Sequence, residues 1–514
     1  MAIAPSASYS FTVRLAILNR TGMLGRVTMV IGKAGGDIGA VDLVEMTRDR
    51  VFRDITIKAR DSEHGQRIID KLRRLNGVTI DNISDRTFLM HLGGKIEVRS
   101  KVPIRTRDDL SMAYTPGVAR VCLAIKEDPQ RAFSLTIKQN TVAIVTDGTA
   151  VLGLGDIGPE ASMPVMEGKG LLFKYLGGVD AVPIALATKD PDKFIEAAHM
   201  LTPSFGGFNL EDIEQPKCFY ILEKLRKECK IPVWHDDQQG TAAVTVAGMI
   251  NALKLKGIDK KKARIACIGA GAAGISTLRV LVNWGVDPAN VVMTDIYGIV
   301  HKNRPEFEKH FAFTKDVVGR TNPGGRKTDK IEDAIPKTLE GMDALIAYSK
   351  PGPGTIKPEW IQRMNKDPIV FVCANPIPEL WPWVAKEAGA LIVATGRSDF
   401  PNQVNNSLGF PAIFRGTLDV NASTITDEMC IAAAEELAKI AEDRGLSEEK
   451  LIPTMDDWEV FPREAVAVGM KAIEQGVARV KMTKEELRAK SEKIITQARE
   501  LSQSLMKGGF IPLP

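Results

Sequence analysis

Arg264-Ile-Ala-Cys-Ile-Gly269-Ala270-Gly271-Ala272-Ala273-Gly274 decides the fold: an apolar strand runs into three glycines spaced Gly-x-Gly-x-x-Gly and onward into a helix. The next apolar run, Asn290-Val-Val-Met-Thr, ends on Asp295. In such a unit the free N–H groups at the helix start hold a pyrophosphate, and the acid ending the following strand takes a ribose hydroxyl. The chain is therefore expected to be an α/β protein with a Rossmann-type dinucleotide site. Gly269 to Gly274 and Asp295 bind the cofactor, and the carboxylate favours NAD because it repels the 2′-phosphate of NADP, leaving NADP as the lesser possibility. A second match, Gly153-Leu-Gly155-Asp-Ile-Gly158, lacks this context, since Pro159 and Pro164 follow it in place of an apolar helix, and it reads as a turn.

This site begins past the midpoint of 514 residues, so other regions must supply substrate and chemistry. Residues 246–420 are assigned to the dinucleotide domain, with further strands at 344–348, 369–373 and 391–394. Residues 93–245 carry strands at 141–146, 181–187 and 231–234, each leading into a polar or glycine-rich loop, where α/β sheets place their chemistry. Beyond 421 the pattern turns helical (429–442, 463–475, 484–506), and these helices are expected to pack back on the middle domain. Residues 1–92 alternate as βαββαβ, with strands at 9–18, 38–47, 51–59 and 78–90 and helices at 25–34 and 68–75.

Composition excludes several classes of function. Sixty-eight basic against sixty-four acidic residues leave a net charge of +4, without a basic stripe interleaved with aromatics, which argues against nucleic acid. The six cysteines show no Cys-x-x-Cys spacing, so neither a disulfide framework nor a thiolate zinc site is indicated. The N-terminus has no basic residue before Arg14 and no signal-like apolar core, and the longest uncharged stretches are broken by glycine and too short to span a bilayer. These features read as a soluble protein of the cytoplasm that does not engage membranes.

Two acidic pairs flank the segment before the dinucleotide domain, Glu211-Asp212 and Asp236-Asp237, each placed by the pattern beside a helix start. Singly each is a helix cap or a solvated turn. Three convergent carboxylates without a histidine partner suit a hard divalent ion, Mg²⁺ or Mn²⁺ rather than zinc. Lys169, in Met-Glu-Gly-Lys-Gly ahead of an apolar helix at 171–176, becomes a base near neutral pH if desolvation lowers its pKa. Tyr114, in Ser-Met-Ala-Tyr-Thr-Pro-Gly-Val, taken alone is a core aromatic.

Tyr114-Thr-Pro-Gly-Val, Thr146-Asp-Gly-Thr-Ala-Val-Leu-Gly-Leu-Gly-Asp, Met166-Glu-Gly-Lys169, Asn209-Leu-Glu-Asp212, His235-Asp-Asp-Gln-Gln-Gly-Thr-Ala242, Gly269-Ala-Gly-Ala-Ala-Gly274 and Val404-Asn-Asn-Ser-Leu-Gly-Phe-Pro411 together closely resemble the malic enzymes, especially the compact bacterial type, over residues 100–480. The resemblance implies oxidative decarboxylation of L-malate to pyruvate and CO₂ with reduction of NAD or NADP. It makes Glu211, Asp212 and Asp237 the metal ligands, with Asp236 a carboxylate behind them, Lys169 the base and Tyr114 the acid. Asn375 and Asn406 match positions that contact substrate and the nicotinamide end of the cofactor. Where larger eukaryotic members carry an arginine for a malate carboxylate this chain has Ala150, leaving Arg397 and Arg415 as candidate partners. The resemblance also implies a homodimer or larger homo-oligomer. A malolactic enzyme, giving lactate, shares the motifs. A catalytically silent metabolite sensor is the reading from another class, opposed by the intact Tyr114, Lys169 and carboxylates.

The N-terminal βαββαβ order, with Asn19-Arg-Thr-Gly22-Met-Leu-Gly25 after the first strand and Gly35-Gly-Asp37 before the second, resembles an ACT domain. That likeness implies a small effector pocket, commonly for an amino acid, bordered by Asn19, Gly22 and Asp37. The other reading is a dimerisation module without a ligand.

Overall fold

The computed structural model describes residues 5–511 apart from residue 329. Residues up to Val98 form one compact unit and those from Arg99 another.

The first unit is a four-stranded antiparallel sheet, β1 (Ser6–Leu18), β2 (Asp37–Met46), β3 (Arg50–Ala59) and β4 (Val78–Asp85), in the order β2-β3-β1-β4. Helices Met23–Lys33 and Ser62–Arg73 close one face, where Val13, Leu15 and Ile17 pack with Val27, Ile31, Ile68 and Leu72. The expected βαββαβ order is observed with shifted ends. Its last strand stops at Asp85 rather than continuing to 90, because the Asp85 carboxylate accepts the N–H groups of Thr87 and Phe88 and caps a short helix, Arg86–His91.

In the second unit, β5 (Thr141–Thr146), β6 (Asp180–Ala185), β7 (Gly207–Leu210) and β8 (Val233–His235) form a parallel sheet in the order β6-β5-β7-β8. A second sheet, ordered β11-β10-β9-β12-β13-β14, contains β9 (Ile265–Ile268), β10 (Val291–Asp295), β11 (Gly298–Ile299), β12 (Ala344–Ala347), β13 (Ile369–Val372) and β14 (Ile392–Thr395). All its pairs are parallel except β10 with β11. Central strands such as Ile369-Val-Phe-Val are buried at every residue, as a parallel sheet covered on both faces requires.

Helices Asp427–Asp443, Val460–Glu474 and Lys484–Lys507 return to the β5–β8 sheet: Met429, Cys430, Val466 and Leu487 share one core with Val142, Phe173 and Trp234. The Gly153–Gly158 segment is a turn, yet a helix does follow it. Pro159 occupies the first helical position, where its missing N–H costs nothing, and the helix runs Pro159–Gly177. Lys169 therefore sits inside a helix, not ahead of one.

Candidate active site

The carboxyl ends of β7 and β8 bring the two acidic pairs together. Glu211 and Asp212 follow β7 directly in a loop whose helix, Lys217–Glu228, starts further on than the sequence pattern placed it. Asp147 and Thr149, after β5, hold that loop. Asp147 is buried, accepts from the Thr149 N–H and hydroxyl, and pairs with Lys217 at 2.9 Å. Thr149 in turn receives the Glu214 N–H, and the Ala150 N–H bonds the Asp212 carbonyl. Asp236 and Asp237 open a five-residue turn, Asp236–Gly240, before the helix Thr241–Lys256.

One oxygen from each of Glu211, Asp212 and Asp237 lies within 4.8 Å of the others. Asn209 donates its amide to Glu211 at 2.8 Å, and the Asp212 N–H bonds Asp237 at 2.9 Å. Lys169 reaches into the same cluster, 2.9 Å from Glu211 and 2.5 Å from Asp236, with its ammonium 4.5 Å from the centre of the Phe410 ring. The Trp234 indole N–H holds the other Asp236 oxygen at 3.1 Å. A side chain on Gly240 would run into Asp236 and would lie 3.3 Å from Asn406 Cβ, which places Asn406 at the edge of this cluster.

Four carboxylates face one ammonium, and their electrostatics follow. Burial pushes Glu211 well above the usual carboxylate range, and Asp237 and Asp236 add to the shift against the opposing Lys169. Burial, then Asp237, takes Asp212 up to about 8. Asp236 and Asp237 are raised by burial despite Lys169. Burial alone would lower Lys169, but Asp236 and Glu211 outweigh it and hold the amine above its ordinary value. This reverses the expectation of a lowered lysine pKa, because desolvation here arrives together with two touching anions. The Asp212 Oδ2 and Asn209 Oδ1 atoms are buried without a hydrogen-bond partner among the described residues. Electron-rich oxygens lacking donors, inside a cluster of excess negative charge, fit a divalent cation.

At the dinucleotide turn, Gly269 has φ +105°, and a side chain there would strike the Tyr348 carbonyl. One on Gly274 would strike the Gly269 carbonyl. The helix Ala272–Trp284 starts at Gly271 with no side chain capping its first N–H groups, leaving them for an anion. Asp295 ends β10 as expected, but its carboxylate is clasped by the buried Arg304 and accepts the Tyr297 N–H at 2.9 Å. Nothing in the glycine pattern signals Arg304, nine residues on, and its charge weakens the argument that Asp295 by itself repels a 2′-phosphate.

Asn375 is exposed in the loop after β13, beside the Gly153 turn: a side chain on Gly153 would lie 2.9 Å from the Asn375 carbonyl. Tyr114 stands apart. It ends the helix Arg107–Ala113, is 66% exposed, and no hydrogen bond among the described residues joins it to the cluster. Arg415 is not available to a substrate carboxylate, because it is buried, bidentate on Asp419 one helical turn away, and bonded to Asn140. Arg397 is bidentate on Asp399 and bonded to the Pro376 carbonyl. In the N-terminal unit, the Asn19 amide bonds the Thr47 carbonyl and Asp37 pairs with Lys58 at 3.6 Å, while Gly22 supplies the left-handed residue before the first helix.

Comparison with known proteins identifies the domains. Residues 93–226 match the malic enzyme N-terminal domain, 238–473 the malic enzyme NAD binding domain and 5–80 the ACT domain. The chain is 47% identical over 481 residues to an NAD-dependent malic enzyme of Geobacillus stearothermophilus, covering 93% of this chain and 98% of the relative. A bifunctional malic/malolactic enzyme of Bacillus subtilis is 49% identical over 401 residues, covering 78% and 95%. Among solved structures, the Pyrococcus horikoshii malic enzyme superposes with a TM-score of 0.77 at 49% identity, covering 81% of this chain and 95% of the other. The Entamoeba histolytica malic enzyme gives 0.80 at 45% identity, covering 83% and 89%. A silent sensor does not fit these relatives. The chain belongs to the malic enzyme family, as an NAD(P)-dependent member with an ACT domain at its N-terminal end.

Proposed function

We propose that the chain oxidatively decarboxylates L-malate to pyruvate and CO₂, using NAD in preference to NADP and depending on Mg²⁺ or Mn²⁺. One observation carries this reading: Glu211, Asp212 and Asp237 converge, with Lys169 2.9 Å from Glu211. These three carboxylates would hold a divalent ion, which would supply Lewis acidity at the substrate oxygen where negative charge develops. An ion on these three carboxylates would take Glu211 and Asp237 out of the anions that raise Lys169 and leave Asp236 as its remaining charged partner. Lys169 takes the C2 hydroxyl proton, and a nicotinamide carried by the Gly269–Gly274 turn would accept the C2 hydride. Asn375 and Asn406 orient substrate and the nicotinamide end. After CO₂ departs, Tyr114, assisted by Lys169, returns a proton to C3. Asp236, fixed by Trp234, holds the Lys169 amine in place.

An assay with malate and either NAD or NADP at limiting concentration, with and without EDTA, tests substrate, cofactor and metal together. NADH appearing at 340 nm, abolished by EDTA, is the expected result. Lactate formed without net NADH is the malolactic outcome, kept in view by the bifunctional Bacillus relative. A clear NADP advantage overturns the assignment of Asp295.

We further infer a homodimer or larger assembly, because Val102, Ile104, Met112, Leu123 and Ile137 are exposed in the same segment as Tyr114. Light scattering at the monomer mass removes it. An effector at the Asn19, Gly22 and Asp37 turn is tested by calorimetry with amino acids and central metabolites, and no heat with no change in rate ends it. The compartment we infer is the cytoplasm, supported by six cysteines that are all free thiols and by the absence, among the described residues, of a helix able to cross a membrane.

A further inference from the structure

We infer that Glu379 is a positioning residue which, by clamping together the loops after β12 and β13, sets Asn375 at the nicotinamide end of the cleft. The inference rests on the reading above that Asn375 contacts cofactor and substrate.

Glu379 is wholly buried, and no cation is paired with it among the described residues. Its donors are neutral. One carboxylate oxygen accepts the Ser349 N–H at 2.8 Å and the Ser349 hydroxyl at 3.2 Å, and the other accepts the Ala374 N–H at 3.1 Å. A buried carboxylate held only by neutral donors is a costly way to fill a core, since an apolar side chain would fill the same space without desolvating a charge. The position of its donors explains it. The β12–β13 ladder ends with the Cys373 N–H on the Ala347 carbonyl. Beyond that bond the strands part, and the next free N–H groups on the two sides, at Ser349 and Ala374, both turn to Glu379. The backbone of the clamp is also joined across, through Ile356 N–H to the Glu379 carbonyl and Gly352 N–H to the Ile377 carbonyl.

Asn375 is the residue after Ala374, so this bond fixes the backbone from which its amide projects. Two other contacts bound the same residue. A side chain on Gly153 would meet the Asn375 carbonyl at 2.9 Å, and one on Gly396, after β14, would meet the Asn375 amide at 2.9 and 3.0 Å. The Gly153 turn, which binds no phosphate in the present reading, thereby has a use as the wall against which Asn375 rests. Ligands in open α/β sheets bind outside the carboxyl ends of adjacent strands, which is where Glu379 ties β12 to β13.

The test is Glu379→Gln, compared with Asn375→Ala and Ser349→Ala in the full-length protein. With its oxygen kept toward Ser349, glutamine turns an NH₂ toward the Ala374 N–H, donor against donor, and so breaks the tether on the Asn375 side alone. NADH affinity, read by fluorescence titration, and the KM for NAD are expected to weaken on the order of tenfold in Glu379→Gln. Ser349→Ala is expected to weaken them about threefold, since it removes a single weaker bond of the clamp. Mn²⁺ binding, read by electron paramagnetic resonance, should stay at the wild-type value in both, which a general loss of structure would not allow. A folded Glu379→Gln protein whose NADH affinity and KM stay within twofold of wild type, while Asn375→Ala weakens them, overturns the clamp and leaves the role of Asn375 standing. Wild-type behaviour of Asn375→Ala overturns both. Where Glu379→Gln does not fold, Ser349→Ala decides by the same readouts, and wild-type values there overturn the clamp.

Discussion

The carboxylate cluster beyond β7 and β8 and the glycine turn after β1 were both candidate ligand sites, and their surroundings differ in kind. In the cluster, Lys169, Glu211 and Asp236 are all less than a tenth exposed, and burial, joined by the repulsion between neighbouring carboxylates and opposed by Lys169, raises all four acids above their ordinary range. Folding alone disfavours such an arrangement, because buried like charges repel in a medium that screens them poorly. At the turn, Asn19 is exposed and spends its amide on the hairpin carbonyl of Thr47, Asp37 is exposed and pairs with Lys58, and nothing lies within 4 Å of a side chain built on Gly22. Those residues are accounted for by the sheet they belong to. Electrostatic tension unexplained by the fold is therefore the stronger sign of a bound partner, and a glycine turn without it is the weaker.

The comparison breaks first at Lys169. Lys169→Ala is expected to lower kcat by roughly 10²–10⁴-fold, the range of a general base, while Tyr114→Phe spares hydride transfer and slows protonation of enolpyruvate. Partition of the two steps, followed with oxaloacetate and with enolpyruvate supplied directly, separates them. Wild-type turnover of Lys169→Ala would leave the cluster with no more chemistry than the N-terminal turn. Next in size is Asn209→Ala. Its amide orients Glu211, and loss of such a bond behind a metal ligand weakens affinity by about 10–100-fold. Calorimetric titration with Mn²⁺ checks this, and unaltered affinity would detach Glu211 from the ion.

Much of this contrast is legible in the chain itself. The uninterrupted apolar runs Thr141–Thr146 and Ile369–Val372 announce buried parallel strands, and the acid pairs directly after β7 and β8 announce the site, because an unbroken apolar run and a strand end are local properties. Pairings across long separations are not local. Asp295 with Arg304, Lys169 with Asp236 sixty-seven residues away, and Arg415 spent on Asp419 and Asn140 become visible only when helices and loops have packed. The direction of the Lys169 shift was missed for the same reason: desolvation can be guessed from glycine and apolar neighbours, but the two anions that overrule it come from other strands. Tyr114 is the opposite case. Its motif is clear, yet within one chain it remains exposed and distant in bonding from the cluster.

A smaller effect comes from pH. In metal-free protein the native state holds the Asp212 proton up to about 8, against an ordinary value of 3.8, so it binds more protons than the unfolded chain between those limits. Stability then falls as pH rises through that window. Metal binding needs the deprotonated acids, so its stabilisation grows over the same interval. Melting curves in EDTA and in Mn²⁺ should separate progressively from about pH 4 to about pH 8. An EDTA midpoint that climbs with pH would mean the acids do not share one buried space.

The smallest expected effect probes the other side of the comparison. Asp61 caps the helix Ser62–Arg73 by accepting the His64 N–H at 2.6 Å, and both residues lie within the Met1–Val98 unit. Asp61→Ala should cost about 1 kcal/mol, as loss of an N-cap does, lowering the melting point of that unit by roughly 4–8 °C for a domain of its size. None of the groups assigned to the reaction belongs to that unit, so malate turnover without added metabolites should stay at the wild-type rate below the transition. Calorimetric scanning alongside the basal assay reads both quantities in one preparation. A fall in basal kcat matching the loss of stability would show that the N-terminal unit takes part in catalysis itself, and the separation drawn between the charged cluster and the open turn would no longer hold.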